Sequence, residues 1–192
     1  MRKSAKALWC TFKSFLKRER GVAVVEFALV VPLMLTVYIG CSEAASLLTV
    51  DRKVQSVAGA VGDLVARSNK TLTKTELKDY FLAATSILAP YDATGLNQII
   101  IAVSVSSQGE ATVLWSARYA GGVLTDRVAE YPKGKKYNLP SEMKDIATGQ
   151  TVIAAETAYD YSPLIGVVFD HTIDLRRSAL FMPRFGGTIN LT

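Results

Sequence analysis

The chain has 192 residues, of which 49% are hydrophobic and 20% are charged. This length suits one domain with appendages, and this composition excludes a wholly disordered chain. The formal net charge is +5, but residues 1–20 hold seven basic side chains against one acid, whereas the other 172 residues hold 15 basic and 16 acidic side chains. Because the body is nearly neutral, we expect no nucleic-acid partner. One histidine and two cysteines also exclude a disulfide scaffold and a Cys/His zinc site.

An apolar run follows the basic block at residues 22–42, and Glu26 is its single charge. At about 1.5 Å per residue, a helix of this length spans about 30 Å, the thickness of a bilayer core. The pattern therefore predicts a transmembrane helix. The basic leader, residues 1–21, is expected in the cytoplasm, and the chain after the helix is expected outside, in the periplasm of a bacterium.

Three fates of this segment stay open. An ordinary secretory signal would be cut on the far side, where residues 43–45 form only a poor site. A lipoprotein would be acylated at Cys41, but Tyr38 stands where such a signal has a small aliphatic residue. In the third, cleavage on the near side leaves the apolar helix in the mature protein.

A specific residue pattern favours cleavage on the cytoplasmic side of the apolar helix. Residues 20–26 place a glycine at the cytoplasmic edge of the helix and a glutamate five positions beyond it. This arrangement resembles the processing site of type IV pilins. The fuller stretch RGVAVVEFALVVPLML, residues 20–35, resembles the TadE-like minor pseudopilins of tight-adherence (Flp-type, type IVb) pilus systems. The resemblance implies that a prepilin peptidase cuts between Gly21 and Val22, where a residue without a side chain lets the backbone enter a protease cleft.

The same resemblance implies how the helix works after cleavage. Glu26 would pair with the new α-amine on Val22 of a neighbouring subunit, and Phe27 and Pro32 belong to the same assembly motif. The implied partners are other pilins and pseudopilins, the inner-membrane platform protein and, indirectly, the secretion ATPase, with no cofactor. The plainer alternatives are that Glu26 reaches back to the lipid headgroups and that Pro32 only sets packing geometry.

The helix is expected to continue beyond the membrane through residues 43–69. Apolar residues recur there at spacings of three and four, which is typical of an amphipathic helix packed on a globular head. They are Leu47, Val50, Val54, Val57, Val61 and Leu64. Gly59 and Gly62 either weaken this helix or let another element approach closely.

Residues 70–192 are predicted to form an α+β head. Thr73–Glu76 has the capping-box pattern that begins a helix, and Ala89-Pro90 ends it. Strands are predicted at 98–106, 111–119, 151–161 and 172–182, with a short helix after Pro140. The apolar connection at 162–171 is expected to tuck into the core. The predicted fold is therefore α+β, with a long N-terminal helix, a second helix and an antiparallel sheet of about four strands. This layout resembles that of pilins.

No residue pattern points to catalysis. His171 is the one histidine, and with Asp170 and Asp174 beside it a strand surface is the expected context rather than a metal or acid–base site. Trp115 is most simply a residue that packs on a sheet face. We therefore expect a protein that is not an enzyme and binds no metal. The alternatives are an uncleaved single-pass periplasmic anchor or binding protein, and a lipoprotein acylated at Cys41.

Overall fold

A computed structural model describes residues 19–163, 166 and 170–192. These fall into two compact units, one comprising the described residues up to Ala45 with 166 and 170, the other comprising Ser46–Pro163 with His171–Thr192. The first unit contains the N-terminal part of a long helix, α1, which runs over Glu19–Ala66. The second unit, here called the head, contains the rest of α1 and all the remaining elements.

The head is an α+β structure, as predicted. After α1, the described part of the head contains seven strands, two further α-helices and one 3₁₀ turn. In chain order they are β1 (Thr71–Leu72), α2 (Lys74–Thr85), the 3₁₀ turn (Ser86–Leu88), β2 (Leu96–Val105), β3 (Ala111–Ala120), β4 (Val123–Asp126), α3 (Ser141–Ile146), β5 (Thr151–Tyr161), β6 (Ile173–Phe181) and β7 (Asn190–Leu191). Two of the strands, β1 and β7, have only two residues each.

The main sheet has five antiparallel strands in the order β4-β3-β2-β5-β6, one more than expected. The predicted hairpin at 107–110 joins β2 to β3, with Ile99 opposite Arg118. The additional strand is β4, which continues the meander beyond β3 at the sheet edge. A separate two-stranded sheet pairs β1 with β7 in parallel. Strand β2 lies at the centre of the main sheet and is buried on both faces, which explains its nearly unbroken apolar sequence.

One face of the sheet packs against α1 and α2. Val50, Val54, Val57 and Val61 are all buried there, so the helical stripe is confirmed over these positions. The prediction is wrong for the last member of the stripe, because Leu64 is only partly buried and the next residue, Val65, is fully buried instead. A helix repeats every 3.6 residues, so a strict 3–4 alternation drifts off the buried face after a few turns.

The second face is covered by the segment between β4 and β5, which is irregular apart from the short helix α3. Val128, Leu139 and Ala147 from this segment are buried against alternate residues of β2 and β5. Glu156 of β5 accepts hydrogen bonds from the hydroxyls of Tyr131 (2.8 Å) and Tyr137 (2.6 Å), which fasten the segment to the sheet. The head therefore consists of three layers: helices, sheet and an irregular cover.

The predicted start of α2 is confirmed, whereas α1 ends earlier than predicted. Thr73 accepts from the backbone N–H of Glu76 (3.2 Å), and the Glu76 carboxylate accepts from the backbone N–H of Thr73 (2.9 Å), which completes the predicted capping box of α2. Helix α1 ends at Ala66, a few residues before the predicted end. Helix α2 passes into the 3₁₀ turn before Pro90. The apolar residues of the 162–171 connection, where a tucked loop was expected, lie outside the described residues.

Candidate membrane and assembly segment

The predicted processing site lies near the N-terminal end of the described part of α1, which runs over Glu19–Ala66. Gly21 and Val22 have helical backbone conformation. Cleavage between them stays a prediction from the sequence.

The following apolar segment, residues 23–42, is exposed at most of its positions. Phe27 and Leu29 are 70% and 74% exposed, and at about 100° per residue they lie on nearly opposite sides of the helix. An 18-residue window of α1 reaches a mean hydropathy of 2.1 with none of it buried, and α1 is the single described helix that is long and apolar enough to cross a membrane. Leaving one large apolar side chain in water instead of burying it forgoes about 1.5–3 kcal/mol. The segment therefore requires a lipid or protein environment.

Glu26 is exposed within this apolar segment. Its side chain stands four residues, or about one turn, beyond Val22. Its neighbours one and two turns on, such as Val30 and Leu33, are exposed apolar residues. Glu26 is thus a single carboxylate in an otherwise apolar surface.

The three predicted assembly residues do not share one face. At about 100° per residue, Phe27 lies about 100° from Glu26 around the helix, and Pro32 lies about 120° from Glu26 in the other direction. Helix α1 continues through Pro32, and the Thr36 hydroxyl donates to the Pro32 carbonyl oxygen (2.9 Å). Any contacts made by these three residues would therefore involve different neighbours around the helix.

One buried acid near the end of the apolar segment was not anticipated. Glu43 is 4% exposed, although the sequence pattern singled it out only as part of a poor signal-peptidase site. The available signal was its position: it is the first charge after Glu26 along α1. A buried carboxylate is retained only where polar contacts compensate its lost hydration.

In the head, polar contacts fix the C-terminal part of α1. The Thr157 hydroxyl donates to the Val54 carbonyl oxygen (3.0 Å), which ties the centre of β5 to the helix. Lys53 Nζ donates to the carbonyl oxygens of Ile87 (2.9 Å) and Ala89 (2.7 Å), at the end of the 3₁₀ turn. These contacts fix the position of α1 on the sheet, beyond what apolar burial alone specifies.

Two ion pairs add to these contacts. Asp51 pairs with Arg177 of β6 (2.7 Å), and Asp63 pairs with Arg184 (2.6 Å). Hydrogen bonds from Arg67 and Arg184 to Asp63 lower the pKa of that carboxyl. The helix is therefore clamped near both ends of its packed part.

The polar clusters of the head are occupied by internal contacts. A cavity of about 330 Å³ on the covered face contains Arg118 and Arg176. Arg118 pairs with Glu130 (3.0 Å), and Arg176 pairs with Asp174 (2.8 Å). Burial and the hydrogen bond to Glu156 raise the pKa of Tyr131 to about 12. No group of three or more His, Cys, Asp or Glu side chains within the described part of the chain is arranged to hold a metal ion.

Comparison with known protein families gives one match, and it lies within α1. Residues 21–62 match the family model described as TadE-like protein, which confirms the resemblance drawn from the sequence. The match begins at the predicted processing site and extends into the part of α1 that packs on the sheet. It indicates involvement in a Tad pilus system. No curated protein and no solved structure matches the chain.

Proposed function

Because residues 21–62 are TadE-like, we propose that this protein is a minor pseudopilin that acts in the assembly of a Tad (Flp-type) pilus. A prepilin peptidase removes residues 1–21, and the shortened helix then joins other pilins and pseudopilins in the inner membrane. The observation that carries the proposal is the exposed apolar segment 23–42, which begins at the processing motif and contains one acid, Glu26. The protein is not an enzyme and uses no cofactor.

The proposed mechanism follows from the properties of a membrane interior. Lipid is as apolar as leucine, so apolar attraction does not drive helices together there, and packing and polar contacts must do so. Cleavage after Gly21 creates a cationic α-amine on Val22. Glu26 of an adjacent subunit is its partner, because an acid in an apolar segment costs up to about 3 kcal/mol unless it is compensated. Pairing within one helix competes with this contact, since the two groups are about one turn apart.

The charge distribution supports a single orientation. Seven basic residues precede the apolar segment, and the body after it is nearly neutral. Basic segments stay in the cytoplasm, so the head is periplasmic in this proposal. The platform protein and, through it, the secretion ATPase are the expected inner-membrane partners.

The proposal is tested by piliation of a strain carrying Glu26→Gln. This substitution keeps the shape of the side chain and removes its charge. We expect normal membrane insertion, normal cleavage and fewer pili. Glu19→Gln is the matched control, because the same change lies in the part of the chain that cleavage removes. Full piliation by the Glu26 variant would show that the charge pair is not the mechanism.

A further inference from the structure

A second open cavity of the head, about 430 Å³ in volume, lies beside β3 and β7. Its size is within the range of about 300–1,000 Å³ that is usual for ligand pockets. Its apolar lining includes Leu114, Trp115 and Leu191. The indole N–H of Trp115 donates to the Ile189 carbonyl oxygen (2.6 Å). The ring is therefore fixed with its polar atom satisfied, and it offers the cavity an apolar surface.

Two cations line the same cavity, Arg127 and Lys133, and no acidic residue does. Within the described residues, neither side chain makes a hydrogen bond or an ion pair. Asp126, the acid next to Arg127 in the chain, is paired with Lys74 (2.8 Å). The cavity on the covered face differs in this respect, because its arginines are paired with carboxylates of the head. The 430 Å³ cavity therefore has charge available for a partner.

The chain around this cavity carries a local excess of positive charge, which the nearly neutral balance of residues 21–192 conceals. Residues 127–136 hold four basic side chains and one acid, a balance of +3. Lys136 is paired with Glu110 (2.6 Å), and Lys135 donates to the Glu130 carbonyl oxygen (2.7 Å). Among the basic residues of this stretch, the two that have no such contact with a described residue are Arg127 and Lys133, which line the cavity.

The backbone holds Arg127 in an unusual conformation. Its φ is 59°, in the left-handed region that favours glycine, and such residues carry about 1–3 kcal/mol of strain. Ser116, which is 2% exposed, enforces it: the Arg127 N–H donates to the Ser116 carbonyl oxygen (2.9 Å) and the Val128 N–H donates to its hydroxyl (3.0 Å). The Ser116 hydroxyl in turn donates to the Tyr131 carbonyl oxygen (2.8 Å). The loop is thus rigidly built at the cavity edge.

We propose that this cavity binds an acidic segment of a partner protein, with a carboxylate against Arg127 and Lys133 and a neighbouring apolar side chain over Trp115. Two unpaired cations suit one or two carboxylates. They are too few for a nucleic acid, whose binding uses about 6–10 phosphate contacts, or for an anionic membrane surface, which needs clusters of about 4–8 basic residues. The apolar lining distinguishes a peptide from a simple anion, because it gains free energy only when an apolar group covers it.

The test uses the full chain in phosphatidylcholine nanodiscs, with Trp9→Phe so that Trp115 is the one tryptophan. The probe is the capped tetrapeptide acetyl-Glu-Leu-Asp-Phe-amide, and its control is the neutral acetyl-Gln-Leu-Asn-Phe-amide. We expect the acidic peptide to change the Trp115 fluorescence saturably, with an affinity that falls as salt is added. The neutral peptide is expected to have no saturable effect.

Variants locate the binding. Arg127→Gly removes the side chain, and glycine readily adopts the positive φ of this position. Combined with Lys133→Gln, it should lower the affinity for the acidic peptide by about tenfold or more. Lys70→Gly is the matched control, because Lys70 is an exposed cation of the head with a φ of 63° and does not line the cavity. Equal loss in this control would overturn the proposal. So would equal binding of the neutral peptide, equal competition by acetate, or no saturable change up to about 1 mM peptide.

Discussion

Replacing Gly62 by alanine tests how closely α1 packs on the sheet. A Cβ atom built at this position would lie 2.5 Å from two ring carbons of Phe181 and 3.1 Å from the Cβ atom of Ala155. Real Cβ atoms do not approach other atoms at the first of these distances, so the phenyl ring or the helix has to move. Gly59, one turn earlier on the same helix, has nothing within 4 Å of its added Cβ. The two glycines therefore form a matched pair.

Two opposing effects determine how each glycine substitution changes the free energy of unfolding. Alanine is favoured over glycine in a helix interior by about 1 kcal/mol, and this gain applies to both positions. Overpacking a core contact costs about 1–3 kcal/mol, and this cost applies to Gly62 alone. Gly59→Ala should therefore raise the free energy of unfolding by up to about 1 kcal/mol. Gly62→Ala should change it by between about 0 and −2 kcal/mol, so the two variants should differ by about 1–3 kcal/mol.

The assay is thermal unfolding of the full chain in nanodiscs, followed by near-ultraviolet circular dichroism of the head. For a chain of this size, 1 kcal/mol corresponds to a Tm shift of about 2–4 °C. Combining Gly62→Ala with Phe181→Leu should recover part of the loss, because the smaller side chain makes room for the added methyl group. If both glycine variants unfold at the same temperature, the close approach of helix and sheet at Gly62 is refuted.

Three further predictions concern the head and its side of the membrane. Thr157→Val, which keeps the shape of the side chain and removes its hydrogen bond to α1, should lower the free energy of unfolding by about 1 kcal/mol in the same assay. The pKa of Asp63 is lowered first by its hydrogen bond from Arg67 and then by that from Arg184. The lowered pKa contributes stability that is present above about pH 4 and is lost as the pH falls. In unfolding measured against pH, Asp63→Asn should therefore be less stable than the wild type at pH 7, and the difference should shrink below pH 4. An alkaline phosphatase fused after Thr192 should be active in a bacterial host, whereas an inactive but stably expressed fusion would reverse the orientation.

The sequence alone predicted those elements whose structure is determined by a few neighbouring residues. The capping box at Thr73 and the alternation on either side of the 107–110 turn are each complete within a few residues, and both were predicted correctly. The apolar segment was equally plain, because a single acid, Glu26, interrupts it. These features depend on backbone hydrogen bonds and hydropathy, which a short stretch of sequence determines.

The features that were missed depend on contacts between distant segments. Strand β4 has only four residues and follows two glycines, so its pairing with β3 decides its conformation rather than its own sequence. The phase of α1 at Leu64 and Val65 depends on where the sheet lies. The cavity beside Trp115 forms only because β7, more than 70 positions later in the chain, packs next to β3.

The most direct test of the account is the mass of the mature protein isolated from its native membrane. The account predicts the loss of residues 1–21 and an N-terminus at Val22, and it predicts that replacing Gly21 by leucine leaves the leader attached. An intact chain would instead indicate an uncleaved anchor. Loss of residues 1–40 with an added lipid would indicate a lipoprotein acylated at Cys41. Either result, or unchanged cleavage of the Gly21 variant, would contradict the proposed pseudopilin.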